Sequence, residues 1–365
     1  LDIKVNSFTE RGLGLSVPSY RVDVQREADV IEEILRIYGY NNVIFSEKLN
    51  ATMAHSNKYD DHNIQNVVAD QLVAQGFFEI MTNSLVSEKE ITTYAGNPEQ
   101  AVKLLNPLSS DLGYMRKNLV FSGLEVIAYN NNRKRSDLKL FEFGKNYHYI
   151  DGNYTESKHL VLYLTGNTQP EYWGAPAQKT SFFELKGVVE SLFERLGLKE
   201  ITILPLEAND TLNSEGFRWQ IGETLLGTIG VVKSKVLKDF DIKQEVLVAD
   251  LHWEVILEQV QDHKVVYKEV SKYPEVRRDL ALLLDEKVTF ADLYEKAYAT
   301  EKNLLKHVNL FDVYQGDKLP EGKKSYALSF VLQDNNKTLT DKQIDKTMQH
   351  LQDAFEKQLG ATLRE

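Results

Sequence analysis

The sequence predicts an α+β protein of two or three domains, with a mixed, mainly antiparallel sheet domain in the middle and a βαββαβ unit at the end. Three observations carry this. A chain of 365 residues can bury more than one core. Strand-like segments follow one another near 201–205, 216–221, 225–232 and 246–252, a run of strands rather than a repeating strand-helix alternation. From residue 271 the pattern changes to strand, helix, strand, strand, helix, strand, the split unit of ferredoxin-like folds.

The elements follow from local pattern. Ile3-Lys4-Val5-Asn6-Ser7-Phe8 alternates like a strand and is broken by Gly12 and Gly14. A helix is expected from about Glu27 to Tyr38, stopped by Gly39. A polar link near His55 to Asp61 leads into a helix from Asn63 to Gln75, where Ile64, Val67, Val68, Leu72 and Val73 recur at helical spacing. Phe77 to Val86 reads as a strand, and Leu104 to Ser109 as a strand ending in a turn. Arg116 to Asn131 reads as a helix with Leu119, Gly123, Val126 and Ile127 on its buried side, closed by Arg133-Lys134-Arg135. Leu138 to Tyr149 and Leu160 to Gly166 read as strands, and Phe182 to Leu196 as an amphipathic helix stopped at Gly197.

In the last segment, strands are expected at Arg278 to Leu284, Val308 to Tyr314, Ser325 to Leu332 and Ala361 to Arg364. Helices are expected at Phe290 to Thr300 and Asp341 to Leu359, the second opened by a Thr340/Gln343 capping box.

Composition narrows the chemistry. Hydrophobic residues make up 42% and charged residues 27%, and no apolar run approaches the length that spans a bilayer, so a cytoplasmic location with no membrane partner is expected. Leu1-Asp2-Ile3-Lys4 carries neither an initiator Met nor a signal peptide, which implies a chain that begins inside a larger protein. The absence of Cys removes disulfides, thiol catalysis and thiolate metal sites. The net charge of −11 argues against a surface that grips nucleic acid everywhere. Residues 271–365 hold fifteen Lys and Arg against sixteen Asp and Glu, so RNA contact is more plausible on that near-neutral segment.

The most informative stretch is Asp23 followed by Asp29, Glu32 and Glu33. On a helix, positions 29, 32 and 33 share one face, and Asp23 can reach it from the segment before. Like charges so placed repel unless something positive sits among them. An all-oxygen set suits Mg²⁺ or Ca²⁺. A solvated acidic face relieved by Arg26 and Arg36 is the plainer alternative.

Pro-Ser-Tyr-Arg-Val-Asp at 18–23, Asp-Val-Ile-Glu-Glu at 29–33 and Ile-Tyr-Gly-Tyr-Asn-Asn at 37–42 resemble the end of the B5 domain in the β subunit of bacterial phenylalanyl-tRNA synthetases. Asn106-Pro107-Leu108-Ser109, Met115-Arg116, Asn131-Asn132-Arg133 and Phe183-Glu184-Leu185-Lys186-Gly187 resemble the catalytic-like core of that subunit. Tyr273-Pro274, Arg278-Asp279-Leu280-Ala281, Phe311-Asp312-Val313-Tyr314 with Gly316, Lys324-Ser325 and Thr338-Leu339-Thr340-Asp341 resemble its ferredoxin-fold anticodon-binding domain.

The resemblance implies a B5 remnant over 1–50, a class II synthetase-like core over 57–262 and an anticodon-binding domain over 271–365. It implies Mg²⁺ on Asp23, Asp29, Glu32 and Glu33, and an α subunit as partner in an α2β2 assembly that binds ATP and phenylalanine and acts on tRNA(Phe). It points to Tyr273, Arg277, Arg278, Tyr314 and Lys324 as tRNA-contacting residues, with Tyr273 and Tyr314 as possible stackers against plain edge packing. On a regular strand only one of Phe311 and Asp312 would face outward with Tyr314.

A class II site also needs an Arg-x-Glu strand-loop motif and a Gly-rich strand ending in Arg, to stabilise charge on phosphate. Gly222 to Gly230 holds no Arg, and Phe141-Glu142-Phe143-Gly144 lacks the Arg two places before Glu. No catalytic residue is therefore expected in this chain, which alone should be inactive. A Mg²⁺-dependent phosphoester hydrolase built on the four carboxylates and a stand-alone RNA-binding module are the competing readings. Tyr172-Trp173-Gly174 reads either as an exposed aromatic loop or as a buried anchor.

Overall fold

The computed structural model describes residues 1–45, 48, 60–94, 96–207, 210–261, 266–267, 269–316 and 319–364. The polar link expected from His55 lies outside the described residues as far as residue 59. The chain divides into two units, residues 1–262 and 263–365.

The first unit begins with an antiparallel hairpin of β1 (Lys4–Thr9) and β2 (Gly12–Ser16), followed by α1 (Glu27–Tyr38). Asp29 closes the start of α1 by accepting from the backbone N–H groups of Gln25 at 3.0 Å and Arg26 at 2.8 Å. No residue of α1 is buried, and Ile31, Ile34 and Ile37 stand exposed along it.

The main sheet is assembled from the next run of elements. These are α2 (Asp61–Ala74), β3 (Phe78–Glu79), β4 (Leu85–Val86), α3 (Glu88–Tyr94), β5 (Tyr114–Met115), α4 (Leu119–Asn131), β6 (Leu138–Ile150) and β7 (Asn153–Thr165). There follow β8 (Asn167–Gln169), β9 (Gln178–Lys179), α5 (Phe182–Leu196), β10 (Ile201–Pro205), β11 (Asn213–Ile221), β12 (Thr224–Val232), α6 (Ser234–Asp239), β13 (Val246–His252) and α7 (Trp253–Val260). Seven strands form one sheet in the order β10-β11-β12-β13-β7-β6-β3, antiparallel throughout except that β3 runs parallel to β6.

Strand alternation gives this sheet two buried faces. Leu160, Leu162 and Leu164 of β7 pack with α2, α5 and α7 around Leu72, Phe193, Trp219 and Trp253. Val161 and Tyr163 face the other way, against Leu119, Leu124 and Ile127 of α4 and Val236 of α6. Because both faces are covered, β7 is continuously apolar from Leu160 to Leu164.

Several boundaries differ from expectation for identifiable reasons. The strand expected over Phe77 to Val86 survives only at its ends, because Thr82 between them turns to Glu142 instead of a neighbouring strand. The strand expected at Leu104 reduces to a bridge between Lys103 and Tyr114. Helix α4 starts at Leu119 and not at Arg116, since the Asn118 side chain accepts from the Val120 N–H at 2.8 Å and caps it there. β7 starts seven residues before the expected Leu160, paired to β6 through Asp151-Gly152, both at positive φ, the two-residue turn that matches strand twist.

The second unit contains β14 (Val276–Asp285), α8 (Phe290–Thr300), β15 (Leu305–Tyr314), β16 (Lys323–Leu332), α9 (Asp341–Leu359) and β17 (Thr362–Leu363). Its strand order β15-β16-β14-β17, all antiparallel, is that of a βαββαβ split unit. The Thr340/Gln343 capping box is formed. Leu282, Leu284, Leu328 and Phe330 pack against Leu293 of α8 and Leu351 and Phe355 of α9, leaving the sheet's other face turned away from the helices.

Helix and sheet approach closely at Gly123, where an added Cβ would lie 2.1 Å from the Tyr163 ring, whose hydroxyl donates to the Leu119 carbonyl. Gly123→Ala should therefore lower stability by about 1–3 kcal/mol through overpacking. A urea unfolding midpoint equal to the unsubstituted chain's would contradict this.

Candidate functional site

Polar chemistry concentrates in several places among the described residues. The first is the acidic stretch. Arg21, half-buried, places its guanidinium 2.9 Å from Asp23 and 3.0 Å from Glu33, and Arg36 holds Glu33 from the other side at 2.8 Å. The Arg21 hydrogen bond holds Asp23 below the usual carboxylate range, and Arg36, then Arg21, do the same for Glu33. Asp29 is lowered by the Gln25 backbone N–H and by Arg26. Glu32 is exposed on the same helix.

These donors suit a hard dication in kind, but here Arg21 lies between Asp23 and Glu33 and neutralises both. Among the described residues no group of three or more His, Asp or Glu side chains is placed to hold one ion.

The second place is a buried polar network between the loop after β3, the segment before α4 and β6. Arg116 and Glu142, each with 3% of its side chain exposed, approach to 3.3 Å. Thr82 joins them: its hydroxyl accepts from Arg116 at 2.8 Å and donates to Glu142 at 2.8 Å, while its N–H reaches Glu142 at 3.1 Å. Arg116 Nε donates to the Lys145 carbonyl at 2.9 Å. With its donors so committed, Arg116 acts as scaffold. The sequence offered a signal in Met115-Arg116 but assigned it to a helix.

On the α4 side of the main sheet, His159 Nδ1 lies 2.6 Å from Asp250 and Nε2 lies 3.0 Å from the Ser157 hydroxyl. Burial opposes protonation of His159, yet the charge and hydrogen bond of Asp250 win and raise it. The neighbouring His252 is lowered by burial. With Nδ1–H directed to Asp250, Nε2 accepts from Ser157, so both ring nitrogens are engaged. Nothing in the spacing of the scattered His residues signalled this.

The third place is the face of the second unit's sheet turned away from its helices. Cross-strand partners share a face, so Arg277, opposite Val331, and Tyr314, opposite Ser325, lie on it together. Arg277 pairs with Asp279 at 2.8 Å and stands over the Phe311 ring at 5.3 Å, while Arg364 covers Tyr314 at 5.1 Å. A β-bulge between Leu310 and Asp312 breaks the alternation expected there, and Phe311, Asp312 and Val313 are all exposed.

The other expected contact residues are separated from this group. Arg278 faces the helices, 3.9 Å from Asp341 at the start of α9. Lys324 is 6% exposed and donates to the Glu286 carbonyl at 2.8 Å. Tyr273 is half-buried, its carbonyl accepting from Gln333. Trp173, between β8 and β9, is 99% exposed, as the exposed-loop reading requires.

The fourth place is a cleft of about 860 Å³ beside α4 that contains Glu90, Ser122 and Glu125. Sequence reasoning missed it, because no element was expected between Val86 and Leu104, where the structure places α3 and Glu90. Burial and the nearby Glu125 push Glu90 up to about 7, with Arg116 opposing.

Comparison with known proteins adds the following. The family model of the phenylalanyl tRNA synthetase beta chain CLM domain matches residues 44–253, that of the ferredoxin-fold anticodon binding domain matches 271–364, and that of the tRNA synthetase B5 domain matches 1–40. The phenylalanine–tRNA ligase beta subunits of Bacteroides fragilis and Porphyromonas gingivalis are 48% and 40% identical over the whole of this chain. The chain spans 46% of the length of each. A pyrrolysyl-tRNA synthetase structure from Desulfitobacterium hafniense aligns over 66% of this chain and 82% of its own, with 14% identity and a TM-score of 0.44.

Glu90 has a pH consequence. Between pH 4.5 and about 7 the native state keeps a proton that the unfolded chain has released, so stability falls as pH rises through that window. The loss should be ~1–3 kcal/mol. Thermal melts from pH 4 to 8 should show this decline flattened in Glu90→Gln, and an equal decline in that variant would refute the assignment.

Proposed function

The chain belongs to the phenylalanyl-tRNA synthetase β-subunit family, and from that premise we propose that it works as part of a β subunit that supports an α subunit and binds tRNA during ATP-dependent attachment of phenylalanine to tRNA(Phe). The observation that carries this is the succession of B5, CLM and anticodon-binding matches along one chain, with 48% identity to a relative over the whole of this chain. Residues 1–50, 57–262 and 271–365 are the three working parts in this reading. ATP and phenylalanine bind the α subunit in an α2β2 assembly in the cytoplasm, and the core of this chain serves as a scaffold. Among its described residues no helix is long and apolar enough to cross a membrane.

The tRNA surface we assign is the helix-free sheet face of the second unit, with Tyr314 as stacking platform and Arg277 as phosphate or base contact. Arg364 over Tyr314 and the exposed bulge at Phe311 support this face. Arg278 would contribute at the α9 edge and Tyr273 near the strand's start, while Lys324 would act from within, by holding the Glu286 carbonyl. Mixing the chain with α subunit and tRNA(Phe) should give a stable complex. Arg277→Ala should weaken tRNA binding and lower the slope of log affinity against log salt by about 1. Failure to co-purify with α subunit, together with unchanged tRNA affinity in Arg277→Ala, would overturn the reading.

Mg²⁺ at Asp23, Asp29, Glu32 and Glu33 is the remaining part of the proposal. Any such ion competes with Arg21 for Asp23 and Glu33. Calorimetric titration with MgCl₂ should therefore show stronger saturable binding in Arg21→Gln than in the unsubstituted chain, lost again on adding Asp29→Asn. Equal and negligible heats in all three would remove Mg²⁺ from this site.

A further inference from the structure

The cleft beside α4 lies against the segment that leads from β3 to α3. Its lining includes three carboxyl groups, Glu90, Asp111 and Glu125, and no Lys, Arg or His. Glu90 is 8% exposed, and among the described residues its carboxylate accepts no hydrogen bond and forms no ion pair. Ser122, 4% exposed, also lines the cleft, and its hydroxyl has no hydrogen-bond partner. A buried hydroxyl without a partner, as at Ser122, is costly and uncommon in native proteins. Arg116, the cation that acts on Glu90 through space, is committed to Glu142, Thr82 and the Lys145 carbonyl.

The mouth has a different character. Met81 is 96% exposed and Tyr129 is 57% exposed, with Arg133 laid over the Tyr129 ring. Apolar side chains beside an acidic cavity whose lining holds no Lys, Arg or His describe a surface that accepts something bringing a cation with it.

We propose that this cleft receives a Lys or Arg side chain of the synthetase α subunit, its ammonium or guanidinium group donating to the Glu90 and Glu125 carboxylates and to the Ser122 hydroxyl oxygen. The inference rests on the reading that this chain pairs with an α subunit. The volume exceeds what one alkylammonium group fills, and a free amine would leave Met81 in water, so a protein surface accounts for both floor and mouth. An entering cation also restores ionised Glu90, which burial otherwise pushes up to about 7.

The test uses the whole β chain and purified α subunit, with affinity measured by calorimetry at pH 8 and pH 6. Glu90→Gln should raise Kd at least about tenfold, and Glu90→Gln/Glu125→Gln more. Glu90→Gln should melt no lower than the unsubstituted protein, which separates lost recognition from lost folding. Affinity of the unsubstituted chain should fall from pH 8 to pH 6 as Glu90 takes a proton, and this dependence should vanish in Glu90→Gln. Glu125, Asp111, Arg116 and Arg133 are the other charged groups facing this site, and Glu125→Gln alone reports the largest of their contributions.

Unchanged Kd in both variants, with the unsubstituted complex intact, would overturn the cleft assignment and leave the proposed partnership standing. No complex with the unsubstituted chain would overturn both. Saturable binding of putrescine by the β chain, lost in Glu90→Gln while α-subunit affinity stays the same, would overturn the partner's side chain in favour of a free amine.

Discussion

The Arg116–Glu142 ion pair, closed by Thr82, is the constraint around which the first unit is arranged. Two charges removed from water cost several kcal/mol each unless every donor and acceptor is answered, and here they are answered from three separate stretches of chain. Breaking one partner of such a pair costs about 3–5 kcal/mol, because the other is left buried and unpaired. The pair therefore dictates that the segment after β3 leaves the sheet early, that the chain before α4 runs extended, and that β6 carries Gly144. An added Cβ at Gly144 would fall 2.6 Å from the Arg116 guanidinium.

From that anchor the two faces of the main sheet acquire different roles. The face under α2, α5 and α7 is a dry aromatic and aliphatic core. The face under α4 and α6 mixes apolar packing with the polar chain Ser157, His159 and Asp250, and α4 turns a row of polar residues outward to the acidic cleft. Ser157, His159 and Asp250 are spent on holding each other.

The N-terminal segment and the second unit each show how a cation can be placed without being available. Arg21 is locked between Asp23 and Glu33, and Lys324 against a carbonyl, whereas Arg277 keeps an exposed position beside Phe311. Counting Lys and Arg in a segment therefore says little about nucleic-acid contact until the partner of each is known. The bulge at Phe311 matters for the same reason, since it exposes consecutive side chains that a regular strand would divide between two faces.

The sequence by itself determined the α+β class, helices α1, α5, α8 and α9 to the residue, the βαββαβ order and the family. Each rests on local periodicity, capping residues or short motifs that neighbouring positions carry among themselves. It did not determine where Phe77 to Val86 would leave the sheet, because that depends on Glu142, sixty residues away from Thr82. Nor did it separate Arg277 from Arg278 and Lys324, or place Arg21 between Asp23 and Glu33. Glu90 and Ser122 were invisible in it, because burial is a property of what packs from elsewhere in the chain. Only the tertiary structure decides which charges meet a partner and which are left waiting for one, since a side chain's electrostatic environment is set by groups remote in sequence and close in space.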